Sequence, residues 1–185
     1  MLYTGKGDKG DTKLFGCPNR ISKASAVAEA LGALDEINSF LGVCKLKAKE
    51  AGLRLGKKGA FAHDIIRHVQ DTLFTAQAEL AGAPKTIKKS VLTKAEKAIA
   101  EIEKELPPIK SFFVSGGTEL AATFDTARAI SRRAERRVVE AKETDEAKVD
   151  KHTLAYLNRL SSLLYALARL SNHKAGINEE PPRYK

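Results

Sequence analysis

The chain has no tryptophan, one methionine, two cysteines and four histidines among its 185 residues, and aromatics make up only 6%. Each shortage closes off a kind of protein. Cys17 and Cys44 stand in no metal or redox spacing, which argues against a disulfide scaffold and against a cysteine zinc site. His63, His68, His152 and His173 are scattered and none follows a glutamate by three residues, so the Glu-x-x-His pairs of a di-iron bundle are missing. With no His-Glu-x-x-His run either, no metal held by the protein's own side chains is expected. No serine, histidine and aspartate announce a nucleophilic triad. The few aromatics leave little to stack the bases of a single strand, and no nucleic-acid partner is expected. No apolar run reaches membrane-spanning length, and the opening Met-Leu-Tyr-Thr-Gly-Lys-Gly-Asp lacks the apolar core of a signal peptide. The expectation is a cytoplasmic protein with no membrane partner.

What remains is basic and helical. A hydrophobic fraction of 43% with 30% charged residues suits one soluble domain with a real core. The net charge of +9 draws polyanions, phosphorylated small molecules among them. Part of the excess, Lys45, Lys47, Lys49, Arg54, Lys57 and Lys58, falls around an expected interhelical turn and reads as a solvated face.

Apolar residues keep a helical rhythm over residues 24–50 (Val27, Leu31, Leu34, Leu41, Cys44) and residues 59–81 (Phe61, Ile65, Val69, Leu73, Leu80). Asp35, Glu36 and Asn38 put polar groups in the first of these helices, and because Asn38 falls on its apolar stripe at least one of the three calls for a buried partner. A third helix is expected to begin at the capping box Thr93-Lys94-Ala95-Glu96 and to end at Pro107 and Pro108. Two more cover residues 119–142 and 150–172, the last with a seam of Leu154, Leu157, Leu160, Leu164 and Leu167. No strand pattern competes. The fold class is all-α, a five-helix antiparallel bundle with one extended crossing through residues 107–117. Residues 1–23 form an N-terminal arm, 24–173 the bundle and 174–185 a mobile tail.

Residues 111–137 are the stretch the bundle is arranged around. Two aromatics enter a Gly-Gly turn, Thr118 caps a helix, and Arg128, Arg132 and Arg136 follow at i, i+4 and i+8. Successive guanidinium groups then rotate by only about 40°, which makes one cationic row. Forked donors in a row suit a polyphosphate; on composition alone, a solvated basic face fits equally well. Arg128 sits beside the small apolar stripe Leu120, Phe124, Ala127, Ala134, Val138, where an unpaired charge is expensive. In the arm, Gly5, Gly7 and Gly10 permit positive φ, so N–H groups can converge on an anion, with Lys6, Lys9, Lys13 and Thr12 nearby. This is not a P-loop, and by itself it also reads as a floppy arm. A protein that holds polyphosphate without an evident nucleophile points to a cofactor or substrate that carries the difficult chemistry.

Several segments together resemble the helical-bundle ATP:cob(I)alamin adenosyltransferases. They are Tyr3-Thr4-Gly5-Lys6-Gly7-Asp8-Lys9-Gly10-Asp11-Thr12, Glu29-Ala30-Leu31-Gly32 with Asp35-Glu36-Ile37-Asn38-Ser39, Phe112-Phe113-Val114-Ser115-Gly116-Gly117-Thr118, Arg132-Arg133-Ala134-Glu135-Arg136, and Tyr156-Leu157-Asn158-Arg159-Leu160-Ser161. The resemblance runs in order from residue 3 to about 170. It implies a homotrimer that binds ATP and cobalamin in clefts between subunits. Thr4, Gly5, Lys6, Gly7, Thr12, Lys13 and Lys23 would contact ATP from one subunit. Arg132, Arg133, Glu135, Arg136 and Asn158 would meet it from the next, with Mg2+ on the phosphates. Asp35 and Arg128 would pair across neighbouring subunits. Phe112 would push the lower nucleotide base of cobalamin off the cobalt; without the resemblance it reads as an ordinary core aromatic.

The activity so implied transfers the 5′-deoxyadenosyl group of ATP to cob(I)alamin and releases triphosphate, with cobalt as the nucleophile. A reductase and an adenosylcobalamin-dependent enzyme would be its partners. The other reading is a non-catalytic trimeric carrier or sensor of ATP or cobalamin. It draws on departures from the family pattern: Ser115 for Pro, Phe124-Asp125 for a Leu-His pair, Ser162 for Asp, and Ala24, Ser25, Ala26, Val27 and Leu31 near the arm. Asp125 would compete with Asp35 for the Arg128 guanidinium.

Overall fold

A computed structural model describes residues 2–184. Its elements are β1 (Asp11–Lys13), β2 (Arg20–Ser22), α1 (Ala26–Glu50), α2 (Ala62–Leu80), α3 (Lys89–Glu103), α4 (Glu119–Glu143) and α5 (Lys151–Lys174). The five helices form the expected bundle. Ser25 caps α1 by accepting from the Ala28 N–H, and Thr118 caps α4 by accepting from the Ala121 N–H at 3.0 Å. α1 and α4 run antiparallel, with Lys47 bonded to Glu119 near one end and Glu36 to Arg133 further along. α5 packs on α4, and α2 on α1. The ring closes between α2 and α5, where the Glu79 carboxylate accepts from the Asp150 N–H and the Thr153 hydroxyl at 2.6 Å each. α3 lies outside the ring against α5.

The core is built from the anticipated stripes. Leu34, Leu41 and Cys44 of α1, Leu73 of α2, Phe124 and Val138 of α4, and Leu157, Leu164 and Leu167 of α5 are all buried, and Ile37 of α1 joins them from outside the anticipated stripe. Removing such side chains from water supplies most of the stabilisation, on the order of 1.5–3 kcal/mol for each fully buried large one.

Four expectations need correcting. The arm contains an antiparallel β-hairpin, with Asp11 opposite Ser22, Thr12 opposite Ile21 and Lys13 opposite Arg20. The third helix starts at Lys89, so Thr93 lies inside it rather than at its cap. Tertiary burial overrides the local signal there: Ile87 is buried, its N–H donates to Thr153, and Val91 and Leu92 pack on the core. Asn38 is buried, but its Oδ1 has no partner among the described residues. Phe112 is no core aromatic; it is 80% exposed. Beyond α5 the described residues form no helix or strand, yet they touch the bundle. Val114 donates its N–H to the Glu180 carbonyl at 2.8 Å, and Arg169 bonds Glu179 at 2.8 Å.

Candidate active site

The hairpin organises the arm through a residue that motif reading passed over. Arg20 donates from Nε and Nη2 to the two Asp11 carboxylate oxygens at 2.7 and 2.9 Å, and again from Nη2 to the Lys6 carbonyl at 2.7 Å. The guanidinium holds the Asp11 carboxyl below its ordinary range. Lys23 donates from Nζ to the Gly7 carbonyl at 2.9 Å. Gly5 and Gly10 take positive φ of 66° and 79°, as a nest requires. Gly7 does not; it is needed for space, since a Cβ there would stand 2.9 Å from Lys23 Nζ and 3.2 Å from the Asp11 carbonyl oxygen. Thr4 accepts from the Lys6 N–H at 3.4 Å. The ammonium groups of Lys6, Lys9 and Lys13 bond no partner among the described residues.

The arginine row divides into committed and uncommitted members. Arg133 donates to both oxygens of Glu36 and so joins α4 to α1. Glu135 accepts from Asn158 Nδ2 at 2.9 Å, and Asn158 Oδ1 accepts from Arg159 at 3.0 Å, which couples α4 to α5. Arg132 and Arg136 are exposed and bond nothing among the described residues. No hydrogen bond or ion pair among the described residues joins the arm to Arg132, Arg133, Glu135, Arg136 or Asn158.

A cavity of about 590 Å³ brings Arg132 together with Phe112, Arg128, Ser161, Ser162 and Tyr165. Phe112, 80% exposed, and Tyr165 both line it. The Arg128 guanidinium lies 5.9 Å from the Tyr165 ring centre, and its Nε is 3.5 Å from an Asp125 oxygen, too far for a hydrogen bond. That Nε is buried without a partner. Asp35 is exposed on α1 and does not meet Arg128 inside the chain. Asn172 is a second residue that sequence reading missed: it is buried, and bonds Gly116 and Thr118 at the end of the crossing. A larger open cleft of about 760 Å³ lies between residues 14–17 and the turns after α2 and α4, but none of the expected residues lines it.

This geometry can be set beside known proteins. The sequence model of a family described as "Cobalamin adenosyltransferase" matches residues 2–171. The chain belongs to the cobalamin adenosyltransferase family. Among this family's proteins, the corrinoid adenosyltransferase PduO of Citrobacter freundii is 38% identical over 184 residues, covering 96% of this chain and 51% of that protein. The corrinoid adenosyltransferase of Bacillus subtilis (strain 168) is 35% identical over 182 residues, covering 96% of this chain and 90% of that one. The chain thus spans about half the length of the PduO relatives and most of the Bacillus one. A variant PduO-type ATP:corrinoid adenosyltransferase from Lactobacillus reuteri, complexed with cobalamin and ATP, superposes with a TM-score of 0.85 at 27% identity, covering 99% of this chain and 97% of that one. Another variant from the same organism, complexed with ATP, gives 0.83 at 28% identity over 98% of this chain and all of that one. The cobalamin adenosyltransferase fold therefore extends over the whole bundle and the arm.

Proposed function

We propose that this chain transfers the 5′-deoxyadenosyl group of ATP to the cobalt of cob(I)alamin, giving adenosylcobalamin and triphosphate. The observation that carries the reading is the cavity in which an exposed aromatic, Phe112, stands beside an uncommitted cation, Arg132. An apolar ring exposed to that degree has little to do for the fold. Next to a corrinoid it fills the space below the metal without donating to it. The reduced cobalt supplies the nucleophile and forms the bond to C5′; the C5′–O bond breaks and its electron pair leaves with triphosphate. The protein's work is alignment and charge stabilisation. Arg132 and Arg136 would face the departing triphosphate, and the Gly5–Gly7 segment with Lys6, Lys13 and Lys23 would hold it from the other side.

The lack of any hydrogen bond or ion pair, among the described residues, between the arm and Arg132, Arg136 or Asn158 supports a site shared between copies. In the homotrimer, Thr4, Gly5, Lys6, Gly7, Thr12, Lys13 and Lys23 of one subunit would meet the α4 and α5 groups of the next, with Asp35 reaching the neighbour's Arg128. The arm of residues 1–23 is then the nucleotide loop and residues 24–173 the scaffold. Among the described residues no cluster of three His, Cys, Asp or Glu side chains could hold a metal ion, so a Mg2+ arriving with ATP would take its ligands from phosphate and water. We place the protein in the cytoplasm, beside a reductase that supplies cob(I)alamin and an enzyme that uses the product; no helix among the described residues is long and apolar enough to cross a membrane.

A non-catalytic carrier remains the second reading, because Asp125 rather than Asp35 stands against Arg128 inside the chain. Incubation with ATP, Mg2+ and chemically reduced cobalamin separates the two. Light-sensitive adenosylcobalamin formed over many turnovers supports the transferase, and nucleotide binding without product supports the carrier.

A further inference from the structure

Both backbone polar groups of one residue in the crossing, Gly116, are gripped, each by a different helix. Asp125 of α4 accepts from the Gly116 N–H at 3.2 Å. Asn172 of α5 donates from Nδ2 to the Gly116 carbonyl at 2.8 Å. The Asn172 side chain has little freedom left. It is 5% exposed, and its Oδ1 accepts from the Thr118 N–H at 2.9 Å and the Thr118 hydroxyl at 3.3 Å. A backbone N–H can only donate and a carbonyl can only accept, so this amide has one orientation. Gly116 and Gly117 follow at φ of 121° and 97°, and a Cβ on Gly117 would run into the Asn172 amide. The turn is therefore a fixed point of the fold.

Phe112 lies four residues upstream of that point, with nothing in the core to hold it. Its place at the cavity follows from where the crossing is tied down: at Phe113 by Arg169, at Val114 by the Glu180 carbonyl, and at Gly116 by α4 and α5. The same Asp125 carboxylate that takes the Gly116 N–H faces Arg128, a cation of the cavity wall. We propose that Asp125 and Asn172 form a clamp on the Gly116 backbone that positions Phe112 over the corrinoid. They are positioning residues, since neither lines the cavity in which Phe112 and Arg132 meet. The inference rests on that cavity being the corrinoid site. Asp125 has a distinct part in it: its carboxylate oxygen is the only group on α4 that holds the crossing by its backbone, among the described residues.

The test compares Asp125→Ala with Asp125→Asn, which keeps an oxygen within reach of the Gly116 N–H. Asp125→Ala should raise the KM for cobalamin about fivefold to tenfold and lower the four-coordinate Co(II) signal, leaving the KM for ATP within about twofold. Hydrogen exchange of the segment 112–118 in the free protein should speed up by a similar factor. Asp125→Asn should restore all three. Should Asp125→Ala fail to fold, Asn172→Ala is read the same way on exchange and on the Co(II) signal. Wild-type KM and Co(II) signal in Asp125→Ala would overturn the clamp, as would Asp125→Asn behaving like the alanine. Wild-type protein that forms no adenosylated product would overturn the functional reading itself, and the clamp's role with it.

Discussion

Arg133 reaches both carboxylate oxygens of Glu36, at 2.5 and 2.6 Å, whereas Arg132 beside it bonds nothing among the described residues. Two adjacent arginines thus differ in what they are free to do. Arg132→Ala should lower kcat/KM by about 100-fold or more with an unchanged melting temperature, as expected for a group that meets only the developing charge of the leaving phosphate. Arg133→Ala should instead cost about 0.2–1 kcal/mol of stability, the range for half-exposed pairs, in a double-mutant cycle with Glu36→Ala.

Phe112→Ala removes a side chain that is 80% exposed, so the fold and ATP binding should stand. The loss should fall on the corrinoid. Spectra of bound Co(II) report it: four-coordinate species in the wild type, and lower-base-bound species in the variant.

Gly7→Ala should damage the arm, since its Cβ would press on Lys23 Nζ and the Asp11 carbonyl. Alone, Gly7→Ala and Arg132→Ala should both be weak. If each site takes its arm from one copy and its arginines from the next, mixed assemblies contain some sites with neither lesion. Mixing the two variants after co-refolding should therefore recover activity that neither has. A site built within one chain predicts no recovery.

Alkaline pH should loosen the bundle. Burial pushes the Cys44 thiol from 9.0 up to about 12, and the Tyr156 hydroxyl from 10.0 up to about 12. Both groups are held neutral in the fold and ionise more easily when unfolded. Their contribution is complete below pH 9.0 and is lost as pH rises through about 12. Melting temperatures measured over that span should fall, and Cys44→Ala should make the early part of the fall shallower.

The helices were legible because their apolar stripes repeat at helical spacing over long stretches, and the arginine row because i, i+4, i+8 needs no tertiary information. What escaped the sequence depended on distant partners. The strands of the hairpin are three residues each, too short for a pattern, and Arg20 with Asp11 secures them from opposite sides. The start of α3 was misread because a local capping box carries less weight than the burial of Ile87. Phe112 and Phe113 are adjacent in a segment without periodicity, so nothing told which one turns inward; Phe113 does, 5.1 Å below Arg169. Asn172 lies at the end of a leucine seam, where an asparagine looks like a helix stop rather than a clamp.

The most direct measurement is a structure of the assembled protein with ATP and Mg2+ bound. The account predicts the triphosphate between Gly5–Gly7 of one copy and Arg132 and Arg136 of its neighbour, with C5′ turned toward the cavity below Phe112. A nucleotide lodged away from both sets, or held entirely within one copy, would contradict it.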